Sequence, residues 1–265
     1  MIGGSKVVKI TAKTALNGKM LKAIFTTAFF LFCSFICQYS AGIFSYTGKY
    51  AVTIVILIAE YILLLAPIFL GYIRYIWRMI FGADDNPVSI FYYISSKELY
   101  LKAMKFLSAL ILKAVPAGVV LFLPSILLSV FTKEFFYDML GIAMPLWVAN
   151  FNSVITILTA VAIVGLCFYM LRYYISPILF VADENMDIYE TFHMSVTVAR
   201  KSLLYFIYLF SSFIGWILLS LLVIPLIFTL PYFITAYAVH TRFSVAEYNK
   251  VINQINSNEG NMYGA

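Results

Sequence analysis

A stretch of forty residues near the C-terminus, 202–241, contains no Asp, Glu, Lys or Arg. As a single helix with a rise of about 1.5 Å per residue it would be roughly 60 Å long, about twice the hydrocarbon thickness of a bilayer. The stretch therefore has to fold back once. We predict that Pro225 and Pro231 bracket the turn, because proline lacks an amide donor and disfavours helix in the residue before it.

The composition excludes a water-soluble globule. The chain is 63% hydrophobic and only 11% charged, whereas soluble domains carry about 25% charged residues. Too little polar surface is present to cover such a globule. The basic residues fall between apolar runs instead of forming a separate basic domain, which argues against a nucleic-acid partner.

The apolar runs predict an all-α fold, a polytopic transmembrane helix bundle of six spans. The predicted spans are 23–45, 51–77, 103–131, 154–174, 203–223 and 226–246. Residues 133–152 are predicted to form a loop or an interfacial segment. In this prediction residues 1–248 form one membrane domain, and 249–265 form a polar, flexible tail.

A basic segment, 5–22, precedes the first span. Its apolar residues follow a helical period; they are Val8, Ala12, Ala15 and Leu16. We predict an amphipathic helix that lies on the inner leaflet of the membrane. Its lysines either attract anionic lipid, at about 1 kcal/mol each, or act only as a positive-inside signal for orientation. The two interpretations are compatible, and both stay open.

An interfacial helix is predicted over 88–102, on the cytoplasmic side. Asp84 and Asn86 precede it as capping residues, and Pro87 occupies the first helical position, where its missing N–H costs nothing. Capping explains the acidic residues here better than a cation site does. We therefore predict no metal and no cofactor.

A second cytoplasmic interfacial helix is predicted to follow Asp183. Asp187 and Glu190 have the spacing of a capping box. The apolar residues after them recur at helical spacing and predict one buried stripe; they are Ile188, Phe192, Val196, Ala199 and Leu203.

The distribution of positive charge predicts the orientation. If the N-terminus is cytoplasmic, the inner segments hold 15 of the 18 Lys and Arg residues, Lys49 and Lys133 lie outside, and Lys113 is embedded. An excess of positive charge in cytoplasmic loops is the rule for helical membrane proteins. Six spans then place both termini in the cytoplasm.

Glu60 and Lys113 are predicted to lie near the bilayer midplane. An isolated charge there costs roughly 2.5 to 3.5 kcal/mol on insertion scales, so such residues usually pair or mark a pathway. One hypothesis is an ion pair between two adjacent antiparallel spans. The other is that Lys113 snorkels to the inner interface and Glu60 is protonated among hydroxyl groups.

No catalytic motif is visible in the chain. His193 and His240 have no acidic partner in a hydrolase, zinc or phosphate-loop pattern. The three cysteines lie in apolar runs and are typical of small buried hydrophobes. The sequence therefore favours a protein that is not an enzyme.

Several short motifs along the chain match a known pattern. They are KTALNG at 13–18, Pro67 with 71–72, 173–174 leading to Pro177 and 182–183, Ser195, 209–216, and Pro231-Tyr232. Together they resemble domain-of-unknown-function family 975, multi-spanning proteins mostly of Gram-positive bacteria that are related to the membrane domain of glycerophosphodiester phosphodiesterases. The most specific part comprises Ser212, Phe213, Gly215 and Trp216. The resemblance implies a fold and a location in the bacterial cytoplasmic membrane, but no catalytic residue.

These observations predict a non-enzymatic membrane protein that acts through lipids or protein partners in the cell envelope, for example in tolerance of or immunity to membrane-active peptides. Anionic lipid of the inner leaflet is the predicted contact, and a protein partner or a second copy stays open. The alternative is a small transporter or exporter subunit with a polar path at Glu60 and Lys113.

Overall fold

The computed structural model describes residues 4–45, 50–82, 86–133, 146–220 and 223–262, and within these ranges the regular structure is helical, with no strand. The all-α prediction is confirmed for this part of the chain. The chain forms two compact units: one comprises Met1–Leu107 together with Tyr173–Ala265, and the other comprises Ser108–Arg172. The sequence did not predict this division.

The first helix, α1 (Ser5–Leu16), buries one face against protein. Val8 and Ala12 belong to a core cluster with Leu209, Phe213, Ala236 and Val239. The apolar stripe predicted for the inner leaflet is thus covered largely by other helices of the chain. After α1 the backbone turns through Gly18, whose φ of 75° lies in the left-handed region that glycine adopts without strain.

The next helices form a hairpin of α2 (Met20–Ser45) with α3 (Tyr50–Glu60) and α4 (Ala66–Phe81). A π-helical turn, Tyr61–Leu65, joins α3 to α4. The wide turn comes just before Pro67, which cannot donate to the carbonyl of Leu63 four residues earlier. The Tyr100 hydroxyl donates to that carbonyl instead, at 3.0 Å.

The first predicted interfacial helix takes a different form. A 3₁₀ helix, Pro87–Ile94, is followed at Lys97 by α5 (Lys97–Lys133), which continues as the third long apolar helix. The 3₁₀ helix crosses α4 so closely that a Cβ on Gly71 would overlap the carbonyl oxygen of Ile90. Ile90 and Tyr93 are buried, so this segment is part of a protein core, and the prediction of one helix over 88–102 was wrong.

The second unit contains most of α5 and α6 (Leu146–Met170). The loop predicted over 133–152 lies largely outside the described residues, and α6 begins at Leu146, earlier than the predicted span. Many apolar side chains of these helices are exposed, for example Leu112 at 71% and Val120 at 70%. Within this unit, the helix faces are therefore suited to lipid.

A short helix, α7 (Ser176–Ala182), leads to α8 (Ile188–Ser211). The predicted second interfacial helix and the start of the predicted fifth span are one continuous helix here. The buried face of α8 is centred about one residue away from the predicted stripe and carries small polar side chains; it comprises Thr191, Phe192, Ser195, Val198, Ala199, Ser202 and Leu209. The apolar pattern alone missed these buried Thr and Ser residues.

The chain ends in α9 (Ile214–Leu219) and α10 (Val223–Met262). The prediction that Pro225 and Pro231 bracket the turn was wrong, because both lie within α10. Pro225 occupies the first turn, where no amide donor is needed, and a membrane helix accommodates Pro231 by local adjustment. Residues 249–262, predicted as a flexible tail, continue α10.

Five helices in the described residues are long and apolar enough to cross a membrane. They are Met20–Ser40, Val52–Phe81, Lys97–Val130, Ser153–Ala182 and Ile224–Asn253. The predicted span 203–223 is not among them, because the helix is interrupted at Ser212 and Phe213. There the Ser212 hydroxyl bonds the carbonyl of Leu209, which competes with helix continuation.

Candidate functional site: two polar networks, a partly buried carboxylate and a lysine-lined cavity

The first polar network is centred on Arg74, which is 3% exposed on α4. Its Nη2 lies 2.8 Å from Oε1 of Glu184, and its Nε donates to the same oxygen at 2.9 Å. Tyr92 donates from its hydroxyl to Oε2 of Glu184 at 3.0 Å. The network ties α4, the 3₁₀ helix and the α7–α8 turn together, using residues that are 110 positions apart in the chain.

Two cations reinforce the network. The Arg74 guanidinium lies 3.4 Å from the centre of the Tyr92 ring, which is a cation–π contact. Lys102 donates to the backbone carbonyl of Glu184. Burial opposes ionisation of Glu184, but hydrogen bonds from Arg74 and Tyr92 and the charges of Arg74 and Arg78 outweigh it and lower the pKa of the carboxyl.

An aromatic stack lies beside this network. The ring of Phe106 from α5 is 4.3 Å from that of Phe180 and 5.3 Å from that of Phe192, nearly parallel to both. The Tyr93 ring stacks on Phe180 as well, with 5.5 Å between the ring centres. These rings join α5, α7, α8 and the 3₁₀ helix through dispersion and burial.

The second polar network lies where α8 and α10 meet the segment before α7. The Tyr174 hydroxyl is 2.7 Å from Oγ of Ser202 and 3.0 Å from Nε2 of His240. Tyr237 donates to the carbonyl of Tyr174. His240 is 1% exposed, and the neighbouring cavity of about 20 Å³ has room for a water molecule rather than an organic substrate.

Glu60 lies at the end of α3, next to the π-helical turn. Ser40 on α2 donates to its Oε1 at 2.5 Å, and Gln38 donates to the Tyr61 hydroxyl at 3.0 Å. The other oxygen, Oε2, is buried and has no hydrogen-bond partner in the part of the chain that the structure describes. Lys113 belongs to the second compact unit, and its ion pair with Glu60 stays a prediction.

Two of the predicted capping residues, Asn86 and Asp187, accept hydrogen bonds from amides at the start of a helix. Oδ1 of Asn86 accepts from the Val88 amide at 3.2 Å, and Oδ2 of Asp187 accepts from the Tyr189 amide at 3.1 Å. Asp183 accepts from the Asn185 amide in the α7–α8 turn at 3.0 Å. Glu190 is exposed in the first turn of α8. Asp84 lies outside the described residues.

The C-terminal residues that carry the resemblance to family 975 lie at the α8–α9 turn and in α10; they are Ser212, Phe213, Gly215, Trp216, Pro231 and Tyr232. Phe213 is fully buried, and its ring is 5.2 Å from that of Tyr232 on α10. Pro231 is buried in α10. A Cβ on Gly215 would meet no described atom within 4 Å, so close packing of a described helix does not explain this glycine.

A cavity of about 540 Å³ lies between α1, α9 and α10. Lys9 and Lys13 contribute positive charge to its lining, and the described lining includes no carboxylate. Lys9 donates to the carbonyl of Ser212 at 2.9 Å and lies 4.5 Å from the Phe213 ring centre. Burial lowers the pKa of Lys9. Trp216 and Phe228 contribute apolar surface to the same lining.

Sequence reasoning missed both polar networks. Arg74 was counted only among the basic residues of the inner side, and His240 was noted only as lacking an acidic partner, because the partners of both are distant in the chain. The signal that could have revealed Arg74 is its position three residues after Gly71 and one before Tyr75, on one helical face. Among the described residues there is no group of three or more His, Cys, Asp or Glu that could hold a metal ion.

Comparison of the chain with protein-family models, with curated proteins and with solved structures gives no match. The resemblance to family 975 therefore stays a prediction.

Proposed function

We propose that the chain is a non-enzymatic integral membrane protein of a bacterial cytoplasmic membrane that acts through lipid or protein partners. The observation that carries the proposal is the exposure of apolar side chains on its long helices. In the candidate spans that contain α5 and α6, only 6% of the residues in the most apolar part are buried. Such faces are costly to hydrate, at about 25 cal/mol per Å², and lipid chains supply the apolar solvent that they need.

Membrane integration is tested by extracting isolated membranes with alkaline carbonate and then with detergent. We expect the chain to stay with the membrane in carbonate and to enter the soluble fraction only with detergent. Release by carbonate would contradict the proposal.

The proposed topology has six crossings with both termini in the cytoplasm, and it requires α8 and α9 together to make the crossing that neither described helix is long and apolar enough to make alone. The charge distribution supports it, with 15 of 18 basic residues on the inner side. Alkaline phosphatase fused after residue 221 should then be active, and a fluorescent protein fused after residue 265 should fluoresce. An inactive phosphatase fusion at 221 together with a non-fluorescent C-terminal fusion would overturn six crossings, because five crossings place the termini on opposite sides.

The proposed process is tolerance of membrane-active peptides. Deletion of the gene should lower the peptide concentration that inhibits growth, and wild-type expression should restore it. An unchanged inhibitory concentration would contradict this part of the proposal.

The non-enzymatic role is tested on the second polar network, in which Tyr174 contacts Ser202 and His240. Ser202→Ala and His240→Gln should restore growth in the deletion strain as well as wild type does, when the protein levels are matched. Loss of complementation by both variants at matched levels would indicate chemistry at this network.

A second candidate function, a transporter or exporter subunit, is favoured by the surroundings of Glu60. Its carboxylate has one buried oxygen without a described partner, and π-helical turns are frequent at functional sites. Such a group suits a proton or a cation. A cysteine at position 60 that reacts with a water-soluble maleimide from one side of the membrane would favour this role over packing, and an unreactive one would count against it.

A further inference from the structure

The cavity between α1, α9 and α10 combines features of a binding site. Its volume of about 540 Å³ falls in the range of about 300–1,000 Å³ that is typical of small-molecule pockets. One part of the lining is cationic, with Lys9 and Lys13, and another is apolar, with Leu16, Trp216 and Phe228. A ligand that matches both parts has to be an anionic amphiphile.

A buried hydroxyl in the lining points independently to a ligand. Thr229 is 6% exposed, and its Oγ1 has no hydrogen-bond partner among the described residues. A buried polar atom without a partner costs free energy, and a polar headgroup in the cavity would remove that cost. Tyr232 and Asn17 add further polar groups to the same lining.

The surface beside the cavity distinguishes a lipid from a soluble anion. Trp216 is 51% exposed and Phe228 is 48% exposed, and both line the cavity. Their neighbours Leu218 and Ile224 are exposed at 62% and 74%. Apolar surface therefore continues from the cavity wall along α9 and the start of α10, as an acyl chain requires and a soluble anion does not.

We propose that this cavity binds one anionic glycerophospholipid, with the phosphate at Lys9 and Lys13 and an acyl chain along Trp216 and Phe228. Lysine ammonium groups bind phosphate as point charges. The Thr229 hydroxyl meets the headgroup. The inference rests on the proposed function, because it requires that the chain is embedded in a membrane.

Native mass spectrometry of the full chain in detergent measures the selectivity. The protein is titrated with phosphatidylglycerol or with phosphatidylcholine, and the apparent affinity for one bound lipid is compared. We expect a preference for the anionic lipid of at least tenfold. Equal affinity for the two lipids would overturn the proposal.

Charge variants locate the site. Lys9→Gln with Lys13→Gln should weaken phosphatidylglycerol binding about 30-fold, the factor that two lysines near an anionic surface supply. The matched control is Lys6→Gln with Lys250→Gln, which removes two exposed charges outside the lining and should leave the affinity within about twofold of wild type. An equal loss in the control would show general attraction to the surface and contradict the site.

A second pair of variants covers the case in which the Lys9 variant does not fold, since Lys9 also bonds Ser212. Lys13→Gln alone should weaken binding of the anionic lipid about fivefold. Thr229→Val should weaken it severalfold while raising the unfolding temperature of the lipid-free protein, because it removes an unpartnered hydroxyl. Unchanged lipid binding in both variants would overturn the proposal.

Two further measurements separate the possible explanations. Inorganic phosphate at millimolar concentration should raise the unfolding temperature much less than phosphatidylglycerol does, and an equal rise would assign the cavity to a soluble anion. Carbonate extraction of the wild type tests the proposed function separately. A chain that stays in the membrane but shows no lipid preference contradicts this inference alone.

Discussion

The two halves of the long apolar helix Val52–Phe81 have similar residues but different surroundings. In α3 the side chains of Val55 and Ile58 are 66% and 51% exposed, whereas in α4 those of Ile73 and Ile76 are 1% and 0% exposed. Apolar content accounts for the helix and its affinity for a membrane in both halves. It does not distinguish a face covered by lipid from a face covered by protein.

The two halves differ in surroundings because α4 carries a few small or polar residues among its aliphatic ones. The buried half contains Gly71, which permits the close approach of the 3₁₀ helix, and Arg74, which pairs with Glu184. It also contains Tyr72, whose hydroxyl is 2.8 Å from that of Thr27 on α2. Small and polar residues at helical spacing thus mark the face that other helices cover.

The largest expected effect separates the two halves directly. Ile76→Ala should lower the free energy of unfolding by about 3 kcal/mol, because it leaves a cavity in packed protein. Ile58→Ala should cost less than about 1 kcal/mol, since detergent or lipid fills the space. Chemical unfolding in mixed micelles measures both. Equal losses would mean that the exposed half is also covered by protein, for instance by a second copy.

The next effect concerns the glycine. Gly71→Ala should cost about 2 kcal/mol, because its methyl group would overlap the Ile90 carbonyl and separate two packed segments. Gly118→Ala in α5 is the control, since nothing lies within 4 Å of its added Cβ, and it should change the stability by about 0.5 kcal/mol or less. A Gly71 variant as stable as the control would contradict the close crossing.

A smaller effect is expected for the hydroxyl of Tyr174. Tyr174→Phe removes the contacts with Ser202 and His240 and should cost about 1 kcal/mol. Tyr208→Phe on α8 is the control, because Tyr208 is 73% exposed. Thermal unfolding monitored by circular dichroism should show a lower midpoint for the first variant only. If the midpoint of the control falls as much, burial does not determine how much a tyrosine hydroxyl contributes to stability.

The smallest effect is a pH dependence at the Arg74–Glu184 pair. The pKa of Glu184 is held below its ordinary value of 4.5 in the folded protein. The ionised carboxylate therefore stabilises the fold above about pH 4.5, and this contribution is lost as the pH falls through the lowered pKa. Wild type should lose stability in that window, and Glu184→Gln should lose less. Parallel pH profiles would show that the pair does not contribute to stability.

Local chemistry explains how much of the fold the sequence predicts. The apolar runs predict the long helices, and short polar motifs predict helix starts, as at Asn86 and Asp187, because a cap depends on residues two positions apart. The break at Ser212 and the course of α10 through Pro231 are harder to predict, since proline and serine are tolerated in membrane helices when neighbouring groups compensate.

The candidate sites depend on contacts between distant parts of the chain. Lys9 meets Ser212 across 203 positions, and Tyr174 meets His240 across 66. No periodicity or spacing within one helix contains that information. The sequence predicted the lysines and the apolar stripe of α1, but it assigned that stripe to the membrane, whereas Val8 and Ala12 pack against other helices.

The burial of α1 against α10 has a consequence for biosynthesis. Val8 and Ala12 are translated more than two hundred residues before Ala236 and Val239, which share their core cluster. At about 5–20 residues per second, the apolar stripe of the first helix waits for tens of seconds before its final partner exists. A helix that is synthesised early is thus completed late, because its final packing partner is made tens of seconds after it.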